Sequence, residues 1–429
     1  MNTIQITLEQ AQAALNTSNW SLLLQCLQQL LPARPHAHKT TYSAATATQM
    51  LDFTLAVLEG GDFQHRWDAA KLIPRLGTLA IAPLVALLEE DDDELCWFAA
   101  RILGEFDDPQ AIAALVELIK TTDNEELQAI AATALGQIGK SAVTVLTELL
   151  IDEDTRLAAV RSLAYIRRSE TIEPLLSVVN DPQAVVRATA LEALSSFHDS
   201  RIPRVLLHAL DDCAASVRRE AVLGLGFRPD LREQLDLVTQ LLPKLYDFNV
   251  DVCRAAAMSL GRLGTDQAAT GLNQVLVSPH TPQLLQIEII RALGRIETDL
   301  SLDYLDLYFE RSPSTTLAEE IATVLGRVES PHLKTKAAAI LSSFLPSTTD
   351  TKVKSAIALS LGHLGEVQVI DTLIEMLADC DRTVKLHAIA ALKQLAPDAY
   401  VQLQQMATNA KLTPELQQGV AIALSEWQV

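Results

Sequence analysis

A short apolar signature returns along this chain at intervals of about 32 residues, and that period constrains the fold more than any other feature. The clearest copies are ELQAIAATALGQIG (126–139), AVVRATALEALSSF (184–197), SVRREAVLGLGFR (216–228), DVCRAAAMSLGRLG (251–264) and KVKSAIALSLGHLG (352–365). Aligning all copies on one apolar position gives twelve anchors: Ile73, Leu103, Leu135, Leu163, Leu194, Leu225, Leu260, Leu293, Leu325, Leu361, Leu392 and Leu424. A chain of 429 residues would ordinarily divide into roughly two or three domains. A fixed period this short predicts instead an all-α solenoid, a superhelix of about twelve stacked helix pairs.

Each copy has one grammar. A first helix is apolar at helical spacing, as in AIAALVELIK (111–120), and a polar turn such as TTDNEE (121–126) or DDCAAS (211–216) follows. A second helix then ends near a glycine, read here as the left-handed residue that closes a helix. Four residues before the anchor the column is Ala69, Ala99, Ala131, Ala159, Ala190, Ala221, Ala256, Ile289, Ile321, Ile357, Ala388 and Val420. With the anchor it fills one arc of the second helix, the expected core face. A core built from Ala and Leu explains why 49% of residues are hydrophobic and only 4% aromatic. No segment alternates with period two, so no β-sheet is expected.

Seven residues before the anchor stand Arg66, Arg156, Arg187, Arg218, Lys354 and Lys385, and Asp181, Asp212 and Asp379 lie six residues upstream of three of them. This predicts a ladder of Asp–Arg contacts along the turns. Cys96 and Cys253 fill the same slot in two other copies. The five cysteines form no CxxC pair, which excludes a disulfide framework or a zinc site and fits a reducing, cytoplasmic setting. No apolar run reaches the length of a membrane span, and the first residues lack the basic start of a signal peptide.

Residues 1–46 depart from the period and read as an N-terminal helical cap, with the array over 47–429. Thr7 and Gln10 fit a capping box opening one helix, Asn19 or Ser21 opens a second, and 32–43 reads as a loop in which His36 and His38 are solvated. The acidic run Glu89–Glu94 lacks the spacing of a calcium loop. No phosphate loop or nucleophile motif is present, so no catalytic residue, metal or required cofactor is expected.

The helix pair, the Asp-containing turn and the V-R-x-x-A-x-x-A-L-G pattern resemble HEAT repeats over about residues 50–429. The short unit and Ala-rich second helix are most similar to the HEAT-like repeats of phycobilin lyases and their cyanobacterial relatives, and WFAARILGEF (97–106) loosely resembles a lyase segment. The resemblance implies either a scaffold or chaperone in phycobilisome or iron–sulfur cofactor biogenesis, or a phycobilin lyase holding a bilin near an acceptor cysteine. Its implied partners are a phycobiliprotein or an A-type iron–sulfur carrier. Deoxyhypusine hydroxylase, another HEAT-like array, uses His-Glu pairs for its iron; this chain has no His-Glu dipeptide.

Positions six before, two before and two after the anchor share the outer face of the second helix. Over twelve copies this stripe holds ten basic and four acidic residues, although the whole chain carries −20. The expected partner-binding residues are Trp67, Lys71, Arg75, Trp97, Arg101, Arg161, Arg219, Arg254, Arg262, Arg291, Arg295 and Arg327. Arginine offers bidentate contacts to carboxylates, so an acidic protein partner is the leading expectation. Trp67 and Trp97 occupy one column in adjacent copies and should project side by side, unless the N-terminal segment covers them. Nucleic acid is the least favoured ligand, because the net charge repels a polyanion.

Overall fold

The computed structural model describes residues 3–31, 42–311, 314–408 and 412–427, and all regular structure among them is helical. The loop expected at 32–43, with His36 and His38, lies outside the described residues except for Tyr42 and Ser43. The chain forms two compact units, residues 1–202 and 203–429.

The first unit opens with α1 (Thr3–Asn16) and α2 (Trp20–Leu30). Five pairs follow: α3 (Ala44–Gly60) with α4 (Phe63–Ala70), α5 (Ile81–Leu87) with α6 (Asp93–Leu103), α7 (Pro109–Thr121) with α8 (Glu125–Ile138), α9 (Val143–Leu149) with α10 (Glu153–Ile166), and α11 (Ile172–Ser177) with α12 (Ala184–Leu194). The second unit holds seven: α13 (Ile202–Ala209) with α14 (Ala215–Gly226), α15 (Leu237–Leu241) with α16 (Val250–Leu263), α17 (Asp266–Leu276) with α18 (Gln283–Ile296), α19 (Asp299–Glu310) with α20 (Thr315–Leu325), α21 (Pro331–Phe344) with α22 (Thr351–Leu364), α23 (Ile370–Glu375) with α24 (Arg382–Gln394), and α25 (Asp398–Ala407) with α26 (Pro414–Glu426). Successive second helices pack on one another from α4 to α12 and from α14 to α24, which is the arrangement of an α-solenoid.

The repeat columns become the core. Eleven anchors, from Ile73 to Leu392, are fully buried, and so is nearly every residue of the Ala column; Leu424 in α26 is half-buried. The glycines next to the anchors do a different job from the one the sequence predicts. Gly104, Gly136, Gly226, Gly261, Gly294, Gly326 and Gly362 lie at or within the helix ends without positive φ; only Gly139, Gly264 and Gly365 take the left-handed turn after a second helix. The helical ones serve close approach. A methyl on Gly104 would stand 2.8 Å from Ala134 Cα, and one on Gly362 2.8 Å from Ala391 Cα. The facing residue is the one just before the next anchor for Gly104, Gly226, Gly261, Gly294, Gly326 and Gly362, whereas Gly136 meets Tyr165. Two serines in this position also bond across: Ser162 Oγ donates to the Ala132 carbonyl at 2.7 Å, and Ser259 Oγ to the Val222 carbonyl at 3.0 Å.

Carboxylates in the turns perform two tasks, and Asp92 performs both. One is to cap the second helix, as Asp92, Asp152, Asp350 and Asp381 do for their helix N–H groups. The other is to receive a basic residue from the preceding pair: Arg156 reaches Asp181 at 2.9 Å, Arg218 grips Asp247 through two bonds of 2.7 Å, and Lys354 reaches Asp379 at 2.7 Å. Arg66 reaches both Asp92 and Glu94. The same guanidinium groups donate to their own turn, Arg156 to the Leu150 and Ile151 carbonyls. Cys96 and Cys253 take over only that inner task, their thiols facing the Glu90 and Asp247 carbonyls at 3.2 Å.

Two local expectations shift. Helix α1 begins at Thr3, not at Thr7, because Ile4 extends the apolar stripe of Leu8, Ala11 and Leu15 one turn upstream; Thr7 is buried inside it. Asn19 does cap α2, accepting from Leu22 N–H. Helix α4 stops at Ala70, before its anchor, and Ile73 sits on a tighter 3-10 turn. Pro74 explains the break, since proline disfavours helical geometry in the residue before it.

Candidate functional site

The columns of the second helices place the outer stripe where the sequence predicts. Of its 36 positions, all but Ser355 are exposed or half-buried. The twelve singled-out residues nevertheless fall into different environments.

At the first two repeats the pattern produces an aromatic cluster. Trp67 on α4 and Trp97 on α6 stack with centroids 6.5 Å apart and planes 23° apart. Phe63 stacks on Trp67 at 6.1 Å, and buried Phe98 closes the cluster edge-on to both indoles. The Arg101 guanidinium lies 4.6 Å from the Trp67 ring and 5.8 Å from the Trp97 ring, and Lys71 Nζ lies 5.8 Å from Trp67. Such contacts hold a cation on an aromatic face at little desolvation cost. Both indoles are half-buried. The N-terminal helices do not enclose them: α1 and α2 pack on Met50, Phe53, Val57, Ala69 and Leu72, on other faces of α3 and α4. Phe63 was not anticipated, because it lies one turn upstream of the chosen columns.

Several basic residues are occupied within the protein. Lys71 pairs with Asp68 at 2.9 Å, Arg219 with Glu220 at 2.6 Å, Arg254 with Asp251 at 3.3 Å, and Arg291 makes a two-pronged contact of 2.8 and 3.0 Å to Glu320 on α20. Arg75 departs furthest from expectation. The Pro74 break removes it from the α4 stripe, and its guanidinium donates to the Leu31 carbonyl at the end of α2, a structural anchor for the N-terminal helices.

The remaining cations are Arg161, Arg262, Arg295 and Arg327. The Arg262 guanidinium stacks 4.3 Å over Phe227, an exposed ring. Its Nη1 is buried and without a hydrogen-bond partner, as is Nε of Arg254 two turns earlier on α16. Burial, together with the nearby charge of Arg295 on α18, weakens the hold of Arg262 on its proton, and Glu288 only partly opposes this. Two like charges are thus held together around an unused donor, a configuration that favours an incoming anion. Arg161 borders Glu192 on one side and Glu153 and Asp154 on the other. Arg327 lines a separate cavity with His363 and His387. Among the described residues no group of three His, Cys, Asp or Glu is placed to hold a metal ion, and no single helix is long and apolar enough to cross a membrane.

The HEAT repeats model matches residues 51–226 in overlapping segments and 307–393, more than half of the chain. The chain belongs to the HEAT-repeat family. The model described as PBS lyase HEAT-like repeat matches residues 252–278 alone, covering most of α16 and all of α17. No curated protein matches the chain. Among solved structures, Kap121p bound to Pho4p is similar with a TM-score of 0.59 at 13% identity, over 98% of this chain and 53% of that one. The Kap95:Nup1 complex gives 0.55 at 17% identity over 95% and 62%, and importin beta 0.51 at 12% over 96% and 63%. The chain therefore spans between about half and two thirds of these proteins' length. At such identities the likeness concerns the fold.

Proposed function

We propose that this protein is a non-catalytic scaffold that binds an acidic segment of a protein partner on the Arg-rich face of its second helices, with α1 and α2 capping the array. The observation that carries this reading is the Arg262–Arg295 pair: two adjacent cations, one of them, Arg262, desolvated over Phe227 with an unused N–H and only partly offset by Glu288. A carboxylate on the partner would satisfy that donor and relieve the like-charge contact. The Trp67–Trp97–Arg101 cluster is a second contact point, since indole and guanidinium groups concentrate binding energy at interfaces. The HEAT-repeat class supports protein binding, and the structurally similar Kap121p and Kap95 are each seen with a protein bound. A role in phycobilisome or iron–sulfur biogenesis, in cyanobacterial cytoplasm, is the finer form of the proposal and rests on the repeat resemblance.

A second reading has one observation of its own. The PBS lyase HEAT-like match covers Arg254 and Arg262, and the propionates of a bilin suit paired guanidinium groups. Two measurements separate the readings. Capture of proteins from a cyanobacterial lysate by the wild-type chain and by an Arg262→Glu/Arg295→Glu variant tests the scaffold; loss of the captured partner is expected, and retention of every partner refutes the basic-face reading. Titration with a bilin, followed by visible absorbance, tests the second; an unchanged spectrum counts against it.

A further inference from the structure

The second helices of three consecutive pairs in the second unit, α20, α22 and α24, border a cavity of about 570 Å³. That is the size of a small-molecule pocket, and basic and hydroxyl side chains share its walls with apolar surface such as Leu359. Arg327, Lys352, His363 and His387 contribute four groups that are cationic or can become so, against one carboxylate, Glu319. Arg327 forms no ion pair among the described residues. Asp350, whose charge reaches Lys352, is committed elsewhere: it caps α22 and accepts from the Thr315 hydroxyl at 2.7 Å. His387 Nδ1 is buried and has no hydrogen-bond partner in the protein, which leaves it open to a group entering from the cavity side. The Ser355 and Thr383 side chains, which also line the cavity, supply two further hydroxyls.

We propose that this cavity binds a phosphomonoester. The donor set exceeds what one carboxylate can use, with two oxygens and a single charge. A phosphomonoester brings three acceptor oxygens and close to two charges, which Arg327, Lys352 and the two imidazoles can share. Glu319 accepts from a hydroxyl or N–H of the group that carries the phosphate. A long polyanion is disfavoured by Glu319 and by the net charge of −20. The phosphate belongs either to a phosphoserine side chain of a protein or to a free phosphorylated metabolite, and both present the same chemistry to these walls. This site is distinct from the Arg262–Arg295 surface, so its failure would leave the acidic-partner reading standing.

The test is calorimetric titration of the full chain with O-phosphoserine, a phosphoserine-containing peptide, its unphosphorylated form and inorganic phosphate. The phosphorylated probes are expected to bind and the unphosphorylated peptide to give no heat. Arg327→Ala, Lys352→Ala and His387→Ala should each weaken binding about tenfold, the loss of one charge-assisted hydrogen bond, while Lys120→Ala in the first unit leaves it unchanged. Arg327 and Lys352 are exposed, so their variants keep the wild-type circular dichroism. Tighter binding of the phosphopeptide than of O-phosphoserine identifies the source as a protein; equal or weaker binding identifies a free metabolite. The proposal is overturned if no phosphorylated probe binds, or if the three cavity variants bind as the wild type does.

Discussion

The turn ladder predicts how much a single rung holds. Replacing Arg218 with alanine removes both 2.7 Å bonds to Asp247 and the bonds from the same guanidinium to the Asp212 and Cys213 carbonyls at 2.9 and 3.1 Å. The side chains of the pair are only 13% and 7% exposed, so the Asp247 carboxylate would stay in place with the Asn249 N–H as its remaining partner. Breaking a buried pair from one side costs about 3–5 kcal/mol. The double variant Arg218→Ala/Asp247→Asn removes the stranded charge and should recover about 1–2 kcal/mol of that loss. Solenoid repeats contact only their neighbours, so the damage should appear as local opening. Hydrogen exchange across α14 and α16 at pH 7 is the appropriate assay, with faster exchange there and unchanged rates in α22 and α24. The pH dependence has a fixed sign. Arg218 holds the Asp247 carboxyl below its ordinary value, against the opposing effect of burial. A depressed carboxylate stabilises the fold fully above its unfolded pKa of about 3.9, and that contribution is lost as pH falls through the lower folded value. The wild type and Arg218→Ala should therefore differ most at neutral pH and converge in acid. Equal exchange rates at pH 7, or a gap that widens on acidification, would refute the ladder as a source of stability.

Two further outcomes follow from the packing. Gly326→Ala gains about 1 kcal/mol of helix propensity, but its methyl would stand 2.7 Å from Ser360 Cα and forces α20 and α22 apart; overpacking of this kind costs about 1–3 kcal/mol, so thermal unfolding should occur at lower temperature, and an unchanged or higher midpoint would show that the contact relaxes freely. Alkylation with iodoacetamide, mapped by mass spectrometry, should modify Cys213 and Cys380 first, because Cys26, Cys96 and Cys253 are buried and burial raises their thiol pKa; early modification of Cys96 would contradict its place in the turn.

How much of this was legible in the sequence depends on whether a feature is set inside one repeat or between repeats. The Ala column, the anchors and the exposure of the stripe are decided within a single helix pair, and period alone reveals them. The role of Gly104 or Gly362 is decided by the residue one period later, so a glycine beside a helix end reads as a terminator until Ala134 or Ala391 is seen against it. The fate of each stripe arginine is decided in the same way. Arg291 and Arg262 occupy equivalent outward faces, yet Arg291 meets Glu320 on the next second helix while Arg262 meets Phe227 on the previous one and Arg295 on the next. A stripe count of ten cations cannot distinguish a neutralised surface from one holding unused donors. Arg75 adds the local exception, diverted by one proline to the Leu31 carbonyl. His387 was missed because it lies one residue off the stripe, on the flank where adjacent helices form a cavity. In a solenoid the repeat dictates the scaffold, and specificity arises where successive repeats differ at the same position. Binding sites in this protein should therefore be sought where one copy's cation faces another copy's aromatic ring, hydroxyl or like charge.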